Sequence, residues 1–444
     1  MNQKEKAFKI IETLENNGYE AFIIGGAIRD ELLGLIPKDY DITTNAKPDE
    51  VKQVFSNFRI IDTGLKHGTV SIIFDDDFFE ITTYRKDGIY EDCRRPKEIF
   101  YTESIIEDLS RRDFTCNAIA WNGREFIDPY GGIEDLKLGI LQTVGDPNDR
   151  FREDALRMLR AVRIALEKNM FLHHNTRNSI IRNKNLLHQI SRERIREEFN
   201  KIIFSNYGIK NLISLSLIDV IFPEIKEMFN VDQNNPYHIY DVGNHTIRSM
   251  NFYEGDDLSI KLALLFHDIG KIDTRTTDED GIDHFYKHSL YSEIYAEKFL
   301  KKYKYDNQTI ENVLILIRCH DIELFDVPSK KQIKKMLNLI GFENFEKLLI
   351  VKECDIKAQY SKYLNRLDNI KIIRNMMEEI KNENEAFSIK DLAINGDDLI
   401  SFGLKEGKQI GMILNNVLEL VIEDKLKNSK IDIMNYIHNL LDNA

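Results

Sequence analysis

The spacing of apolar and polar residues changes character near residue 145. Before that point an amphipathic helix is predicted at about 3–17, followed by short runs rich in β-branched and aromatic residues and bounded by Gly, Asp or Pro. These predicted strands are AFII (21–24), DYDIT (39–43), GTVSIIF (68–74) and FFEITTY (78–84). From about 146 onward apolar residues recur at spacings of three and four, which predicts helices, with one hairpin near 274–287. The pattern therefore indicates an α+β protein with a mixed first part and a helical remainder.

The bulk composition is that of a globular chain with room for several cores. Its 444 residues are 42% hydrophobic and 30% charged, and domains average about 100–200 residues. No apolar run approaches the roughly 18 residues of a membrane span, and the first twenty residues lack the features of a signal peptide. We therefore expect a cytoplasmic protein without a membrane partner. The four cysteines are far apart and form no CxxC pair, which argues for free thiols and against a zinc ribbon, a redox motif or a disulfide framework.

The local distribution of charge says more about possible binding partners than the net charge does. A net charge of −13 is unlike the basic excess that nucleic-acid binders usually carry. Residues 151–201, however, hold 12 Lys and Arg against 6 Asp and Glu, a local charge of +6. Because phosphate binding requires local rather than average positive charge, this segment is a candidate RNA surface.

A glycine pair marks the first candidate site. Gly25 and Gly26 follow a predicted strand and precede an apparent helix, in the run IIGGAIRDELLG at 23–34. Such a turn allows backbone N–H groups to approach a phosphate, and Arg29, one turn into the helix, can add a cation. A glycine turn is weak evidence when taken alone, since strand-to-helix turns use glycine often.

Two aspartates strengthen this interpretation. Asp39 and Asp41 occur in KDYDI at 38–42, and residues two apart in a strand point to the same face. Adjacent carboxylates repel each other unless a cation lies between them, and Mg²⁺ prefers such hard oxygen ligands. Glu80, on the strand FFEITTY, is a candidate third carboxylate. Two or three carboxylates with Mg²⁺ suit in-line attack of a hydroxyl on an α-phosphate, with pyrophosphate leaving; the alternative is a solvated turn.

The order of the motifs resembles a known family. GG-x-x-R-D-x-x-L-G followed by D-x-D is similar to the signature of polymerase-β-like nucleotidyltransferases, and the rest of the chain resembles the bacterial-type (class II) tRNA CCA-adding enzymes. The segments that carry the resemblance are TGLKHGTV (63–70), DGIYEDCRRP (87–96), EDLSRRDFTCNAIA (107–120), DPYGG (128–132), RFREDALRMLRAVRIA (150–165) and DLAINGDDLISFGLKEGKQIG (391–411).

The resemblance implies a fold, a reaction and its substrates. The fold is a polymerase-β-like head with a mixed sheet, followed by an all-helical neck, body and tail. The reaction adds C, C and A to the 3′ end of tRNA from CTP and ATP, with Mg²⁺ in the head and no nucleic-acid template. We expect a head at 1–145, a neck and body for base recognition and RNA binding at 146–230, a metal-dependent module at 231–330, and a tRNA-binding tail at 331–444.

The resemblance also implies residues that contact the nucleotide. They are Arg112 and Asp113 in the segment SRRDF, and Arg160 and Arg163 farther along. The helical segment SRERIREEF at 191–199 is similar to the family's neck element, and we assign it a structural role. For Arg112 and Asp113 the alternative is surface charge beside a buried segment.

Asp154 and Arg157 can select the base. At a spacing of three they are expected to share a helix face. An Asp only accepts hydrogen bonds and an Arg only donates them, so the pair matches the amino donor and ring-nitrogen acceptor of cytosine or adenine. Guanine and uracil would leave buried groups unpaired, at about 1–3 kcal/mol each. The alternative is an ordinary salt bridge between Asp154 and Arg157.

Histidines cluster in the middle of the chain. His267 and Asp268, in LLFHDIGK at 264–271, resemble the motif of the HD phosphohydrolase superfamily. The resemblance implies a divalent metal whose identity is open among Mn²⁺, Fe, Ni²⁺, Zn²⁺ and Mg²⁺. It also implies a bound water activated for phosphoester hydrolysis; the alternative is a retained fold with an idle site. The expected ligands are His245, His267, Asp268 and Asp321, with His288 and His320 available for a second ion.

The sequence is also compatible with other activities. The chain can instead be a partial CC- or A-adding enzyme, a poly(A) polymerase, or chiefly an HD phosphohydrolase acting on RNA ends with the head as an RNA-binding platform. GLKHGTV after the D-x-D strand and the loop at about 85–100, with YEDCRRP, favour full CCA addition by resemblance.

Overall fold

The computed structural model describes residues 1–61, 68–88, 98–236, 238–322 and 328–442. Most of TGLKHGTV, the centre of the loop at about 85–100 and Cys93 lie outside the described residues. The chain divides into two compact units, Met1–Pro223 and Glu224–Ala444. Within the described part, Cys116, Cys319 and Cys354 are buried free thiols, as the sequence predicts.

The first unit contains a mixed sheet with the strand order β3-β4-β5-β2-β1-β8-β9. In this sheet β2 and β5 run parallel, whereas the other neighbours are antiparallel. The strands of the unit are β1 (Ala21–Ile24), β2 (Asp41–Thr44), β3 (Arg59–Ile61), β4 (Thr69–Phe74), β5 (Asp77–Thr83), β6 (Arg85–Asp87), β7 (Ile99–Tyr101), β8 (Ala120–Trp121), β9 (Phe126–Ile127), β10 (Ile140–Leu141) and β11 (Phe171–Leu172).

Helices flank and follow this sheet. They are α1 (Gln3–Asn16), α2 (Gly26–Leu32), α3 (Pro48–Val54), α4 (Ile105–Ser110), α5 (Gly132–Leu138), α6 (Pro147–Glu153), α7 (Arg157–Glu167), α8 (His174–Asn183), α9 (Arg192–Phe204), α10 (Gly208–Ser214) and α11 (Ile218–Ile221). The long helix α7 packs against α9 and α10. The predicted α+β class, with a mixed sheet first and helices afterwards, is confirmed.

Local sequence explains where the first elements begin. Helix α1 starts with a capping box, in which Asn2 accepts from the backbone N–H of Glu5 and the Glu5 side chain accepts from that of Asn2. All four residues of β1 are buried, because the strand lies between β2 and β8 in the sheet. The predicted strand DYDIT is shorter than expected, since β2 begins only at Asp41.

The second unit is almost entirely helical. Its elements are α12 (Glu224–Glu227), α13 (Val242–Asn251), α14 (Leu258–Phe266), α15 (Lys271–Thr274), β12 (Thr276–Thr277), β13 (Asp283–His284), α16 (His288–Lys302), α17 (Asn307–Cys319), α18 (Lys330–Ala358), α19 (Arg366–Asn382), α20 (Gly396–Ser401), α21 (Lys408–Ile422) and α22 (Lys430–Asp442). The predicted hairpin near 274–287 is the antiparallel pair β12 and β13. Helix α18 contains a non-helical residue, Gly341, with φ of 77°.

Five helices form the centre of this unit. Helix α18 packs against α13, α14 and α17, and α14 also packs against α16. Helix α14 is buried from Ser259 to Phe266. Its C-terminal end therefore carries the next residues, His267 and Asp268, into the interior. Across the described ranges, no helix has both the length and the apolar character that crossing a membrane demands.

Candidate active site and candidate metal centre

Three carboxylates meet where β2 begins beside the middle of its parallel neighbour β5. In the register of β2 and β5, Ile42 is opposite Ile81, so Asp41 and Glu80 occupy equivalent positions, one residue earlier on adjacent strands. Neighbouring strands are about 4.8 Å apart, which brings these two side chains close together. Asp39 lies two residues before Asp41, just outside the strand. The three predicted catalytic carboxylates therefore lie close together where β2 begins.

The surroundings of Asp41 disfavour its negative charge. The residue is accessible to water, but nearby protein atoms remove part of its hydration, and this desolvation is the largest cause that raises its pKa to about 6. The charges of Asp39 and Glu80 also raise this pKa, while Arg112 lowers it. A cation placed among the three carboxylates would relieve both effects.

The glycine turn is shaped by the backbone and by a guanidinium. Gly25 has φ of +74°, a conformation that favours glycine, and a Cβ there would lie 3.2 Å from Nη1 of Arg112. Arg29 donates from Nε to Asp30 and from Nη1 to Asn117 Oδ1 at 2.9 Å. The predicted phosphate cation Arg29 is thus already held by protein groups, whereas Arg112 approaches the turn.

An arginine-rich cleft contains most of the predicted nucleotide ligands. Its cavity volume is about 280 Å³, close to the lower end of the range of small-molecule sites. Five arginines and two aspartates give its lining a positive balance, which suits a triphosphate. The lining residues are Arg111, Arg112, Asp113, Asp154, Leu156, Arg157, Arg160 and Arg194. Because Arg112 also interacts with Asp41, the cleft lies beside the three carboxylates.

Asp154 and Arg157 both line the cleft, but they do not share one helix face. Asp154 caps the C-terminus of α6 with extended backbone angles, φ −143° and ψ 103°, and Arg157 begins α7. The expectation of a common helical face was wrong, because the chain breaks between two helices at this point. The simpler alternative, a salt bridge between Asp154 and Arg157, is also not observed among the described residues, since each has another partner.

Those partners fix the two side chains separately. Arg194, on α9, holds Asp154 with both terminal nitrogens, at 3.3 Å to Oδ1 and 2.8 Å to Oδ2. Arg157 donates from Nη1 to Glu153 Oε2 at 2.6 Å and from Nη2 to the carbonyl of Arg111 at 3.0 Å. The acceptor and the donor are therefore oriented before any base arrives.

The buried Asp113 pairs with the partly exposed Arg160 in the wall of the cleft. Asp113 Oδ2 accepts from Nε and Nη2 of Arg160 at 2.9 and 2.5 Å, and Oδ1 accepts from Asn117. Burial would raise the pKa of Asp113, but the charge of Arg160 and the Asn117 hydrogen bond outweigh it and hold this pKa well below its usual range. Arg160 lines the cleft while anchored in this way.

Arg163 has a different environment from the one expected. Its Nε donates to Glu198 at 2.7 Å and its Nη1 to Glu167 at 2.9 Å, and it is not among the residues that line the cleft. Two carboxylates already neutralise this guanidinium, so the structure gives no support to a nucleotide contact. Arg163 instead ties α7 to α9.

In the second unit, six side chains form two adjoining groups of possible metal ligands. The ligand atoms within each group lie within 4.8 Å of one another; the groups are His245, His267 and Asp355, and Asp268, His288 and His320. Asp268 connects them, since its Oδ2 is 3.3 Å from Nε2 of His267 and its Oδ1 is 3.3 Å from Nε2 of His288. A carboxylate with one oxygen toward each group is suited to bridge two cations.

The histidine rings are oriented as metal ligands usually are. Nδ1 of His267, His288 and His320 each contacts a backbone carbonyl oxygen, at 2.9, 2.9 and 2.5 Å. If Nδ1 donates these hydrogen bonds, Nε2 carries the lone pair. The Nε2 atoms of His288 and His320 are then 3.0 Å apart, and Nε2 of His267 is buried without a hydrogen-bond partner. Such lone pairs fit a divalent ion between them.

This arrangement corrects the prediction that Asp321 is a metal ligand. The side chain of Asp321 is 55% exposed, and its nearest histidine contact is 3.9 Å from Nδ1 of His288, which already faces a carbonyl. Asp355 on α18 takes the expected place, with Oδ1 2.7 Å from Nε2 of His245. Helix α17 ends at Cys319, so Asp321 lies past the helix end and outside the group.

Family models match three segments of the chain. Residues 21–142 match the poly A polymerase head domain, residues 169–229 match the "probable RNA and SrmB- binding site of polymerase A", and residues 275–437 match "tRNA nucleotidyltransferase domain 2 putative". The first segment contains the three carboxylates and the glycine turn.

Relatives that match nearly the whole length of the chain identify its family more closely. A CCA-adding enzyme of Lactobacillus helveticus is 33% identical over 443 residues, covering 98% of this chain and 97% of the relative. One from Anoxybacillus flavithermus is 32% identical, covering 97% and 96%. The chain belongs to the CCA-adding enzymes. A crystal structure of the Bacillus stearothermophilus CCA-adding enzyme in complex with CTP is 27% identical, with a TM-score of 0.72 and full coverage of both chains.

In this CCA-adding enzyme, three residues near the cleft and the candidate metal centre were not predicted from the sequence. Arg194 lies in SRERIREEF, which we interpreted as purely structural, and Glu153 precedes Asp154. Asp355 lies 34 residues after Asp321, in the middle of a helical run. A helical period places charged residues on a face, but it does not say which distant element that face meets. No local signal distinguished these three residues from ordinary surface charges.

We expect Asp41→Asn to stabilise the protein at pH 8 and not at pH 4. The folded-state pKa of about 6 exceeds the ordinary value of 3.8, so the contribution of the protonated form is complete below about pH 4 and is lost as pH rises through 6. Because Asp41 is accessible to water, screening limits the gain at pH 8 to about 1 kcal/mol or less. Urea unfolding at both pH values, without divalent ions, measures it.

The control for this measurement is Glu12→Gln, on the exposed face of α1. It should show no comparable gain between pH 4 and pH 8. A gain of the same size in both variants would mean that general charge reduction, and not the repulsion around Asp41, causes the effect.

Proposed function

We propose that this protein adds C, C and A to the 3′ end of tRNA from CTP and ATP, releasing pyrophosphate, in the cytoplasm. The observation that carries the proposal is the position of Arg112, which lines the arginine-rich cleft and interacts with Asp41. A triphosphate bound by the arginines would thus present its α-phosphate toward the carboxylates. The full-length similarity to CCA-adding enzymes supports this assignment.

Asp39, Asp41 and Glu80 are proposed to hold Mg²⁺. Their mutual repulsion, expressed in the raised pKa of Asp41, is the feature of this chain that fits a divalent cation. When bound, Mg²⁺ would supply Lewis-acid stabilisation of charge on the reacting phosphate. The protein's own part is to fix the carboxylates on two adjacent strands and the arginines in the cleft wall, so that little reorganisation accompanies the reaction.

The choice of C and A is proposed to rest on Asp154 and Arg157. Asp154 accepts a hydrogen bond from the amino group of cytosine or adenine, and Arg157 donates to the neighbouring ring nitrogen. Each carboxylate oxygen has two lone pairs, so the hold of Arg194 on Asp154 leaves acceptor capacity for a base. Arg194 and Glu153 are positioning residues in this scheme, because they orient the two groups that would touch the base.

The alternative activities differ in what they incorporate. A poly(A) polymerase would use ATP without stopping, and a partial enzyme would add only CC or only A. The loop that bears on this distinction lies largely outside the described residues. Incorporation of labelled CTP and ATP into tRNA that lacks its 3′ end separates these cases, and addition that stops after three nucleotides supports the proposal.

The second unit is proposed to hold divalent metal. His245, His267, Asp268 and Asp355 would hold one ion, and Asp268, His288 and His320 a second. Metal would supply an activated water for hydrolysis of a phosphoester. Lys271 supports the centre by donating from Nζ to Asp268 Oδ2 and to Gln233 Oε1, both at 2.8 Å, which fixes the bridging carboxylate.

The division into a head at 1–145, a neck and body at 146–230, a module at 231–330 and a tail at 331–444 stays a proposal. The ligand Asp355 comes from beyond residue 330, so the metal centre depends on α18 as well as on the predicted module. We propose that the remainder of 331–444 contributes to tRNA binding.

Asp39→Ala or Asp41→Ala is expected to abolish nucleotide incorporation while tRNA binding survives, because each removes a metal ligand and leaves the arginine-rich surface intact. Steady-state incorporation and a tRNA gel-shift measure the two properties. Persistent incorporation in either variant would overturn the assignment of the carboxylates.

Arg194→Ala is expected to lower kcat/KM for CTP at least tenfold, by about 1.4 kcal/mol or more, and to raise the relative use of UTP and GTP. The reason is that Asp154 loses the partner that orients it. Arg124→Ala, at an exposed arginine outside the segment 151–201, is the matched control. Unchanged discrimination in the Arg194 variant would show that Asp154 needs no external positioning.

Asp355→Ala is expected to lose divalent metal from the second unit, whereas Asp321→Ala retains it, since only Asp355 faces His245 and His267. The full chain is loaded with Mn²⁺, freed of loosely bound ions and analysed by elemental mass spectrometry. Equal metal content in the two variants would refute the ligand set, and the absence of tightly bound metal from the unsubstituted chain would refute the centre.

A further inference from the structure

A buried lysine lies beside the candidate metal centre without a bonded partner. Lys352, on α18 one turn before Asp355, is only 8% exposed. Its ammonium group makes no hydrogen bond or ion pair with any residue in the described ranges. At longer range it interacts with Asp355, Arg366, Asp321 and Cys319. A buried charge that lacks a partner is costly, and its retention calls for an explanation.

Asp355 does not supply that partner. Its Oδ1 is 2.7 Å from Nε2 of His245, and its Oδ2 accepts from Nε2 of Gln359 at 3.2 Å. Both oxygens are therefore engaged in other directions. The cluster also has a close cation already, since Lys271 Nζ is 2.8 Å from Asp268. Lys352 is thus not required as the counter-ion of the bridging carboxylate.

A second cation shares the surroundings of Lys352. Arg366, the first residue of α19, lines the same small cleft, together with Asp355, Ile356 and Ile370. Arg366 is exposed and donates from Nη1 to Gln359 Oε1 at 3.1 Å, which leaves other guanidinium N–H groups available. The cleft therefore combines an ammonium, a guanidinium and one proposed metal ligand.

The charge balance indicates the class of ligand. The carboxylates Asp268, Asp355 and, at longer range, Asp321 carry three negative charges against the four positive charges of two divalent ions. Lys352 and Arg366 add two further positive charges beside them. An anion with several acceptor oxygens would satisfy both cations and lie next to the metal ligand Asp355. The apolar walls formed by Ile356 and Ile370 strengthen such contacts by limiting water.

We propose that Lys352 and Arg366 form a subsite that binds a phosphate group against the candidate metal centre. The inference rests on the proposed metal centre and its phosphoester chemistry, and adds to them two residues that would hold the phosphate. The guanidinium at the rim would make the first contact, and the buried ammonium would hold the phosphate next to Asp355.

Binding of inorganic phosphate to the Mn²⁺-loaded full chain tests this subsite by isothermal titration calorimetry. We expect Lys352→Met and Arg366→Met each to weaken phosphate binding about tenfold or more, and Arg366→Lys to restore part of the affinity. Lys371→Met, at an exposed lysine of α19 that is 73% accessible, is the matched control and should bind as the unsubstituted chain does. Phosphate bound in the head is common to all variants, so their differences isolate the subsite.

Metal content, measured on the same samples, keeps the two proposals apart. If Lys352→Met and Arg366→Met keep their metal and bind phosphate with unchanged affinity, the subsite is refuted while the metal centre stands. If the unsubstituted chain takes up no metal, the metal centre is refuted. If, in addition, all variants bind phosphate with the same affinity, the subsite is refuted as well. A Lys352→Met variant that loses both metal and thermal stability would show that the lysine is structural, and would overturn its assignment to phosphate.

Discussion

Repulsion among carboxylates where β2 begins beside its parallel neighbour β5 is the constraint on which the first unit depends. The pairing of β2 with β5 places Asp41 beside Glu80, and Asp39 lies two residues earlier. Desolvation and these neighbours raise the pKa of Asp41 to about 6, so the apo protein carries an unfavourable concentration of negative charge. The arrangement becomes favourable only with cations nearby, and Arg112 is the protein's own contribution.

The arginine-rich cleft concentrates positive charge, just as the carboxylates concentrate negative charge. Five guanidinium groups line one volume, which would be self-repulsive without fixed partners. Asp113 holds Arg160, Glu153 holds Arg157, and Asp154 holds Arg194. Each pair reduces repulsion and orients a side chain at the same time, so the wall can face a triphosphate and a base without rearranging. Orientation and charge balance are thus provided by the same contacts.

The candidate metal centre of the second unit is buried, and its candidate ligands differ from those of the head. His245, His267 and Asp268 are each no more than 2% exposed, and histidines supply most of the ligand atoms. Neutral imidazoles are less costly to bury than carboxylates, which suits a site inside a helical bundle. The candidate ligands of the head, Asp39, Asp41 and Glu80, are instead carboxylates accessible to water. The two centres therefore match ligand chemistry to burial.

The sequence by itself determined the α+β class, the change to helices near residue 145, the strand AFII and the motifs that mark the family. These features are local or linear: hydrophobic period, turn residues and motif order can all be read along the chain. The tertiary structure decided which distant residues meet. Asp355 replaced Asp321 because helix α17 ends at Cys319 and α18 folds back onto α13 and α14. Arg194 became the partner of Asp154, and Arg163 turned from the cleft toward Glu198, because α7 and α9 pack together. The periodicity of a helix fixes the directions of its side chains, but only packing between elements determines what they contact.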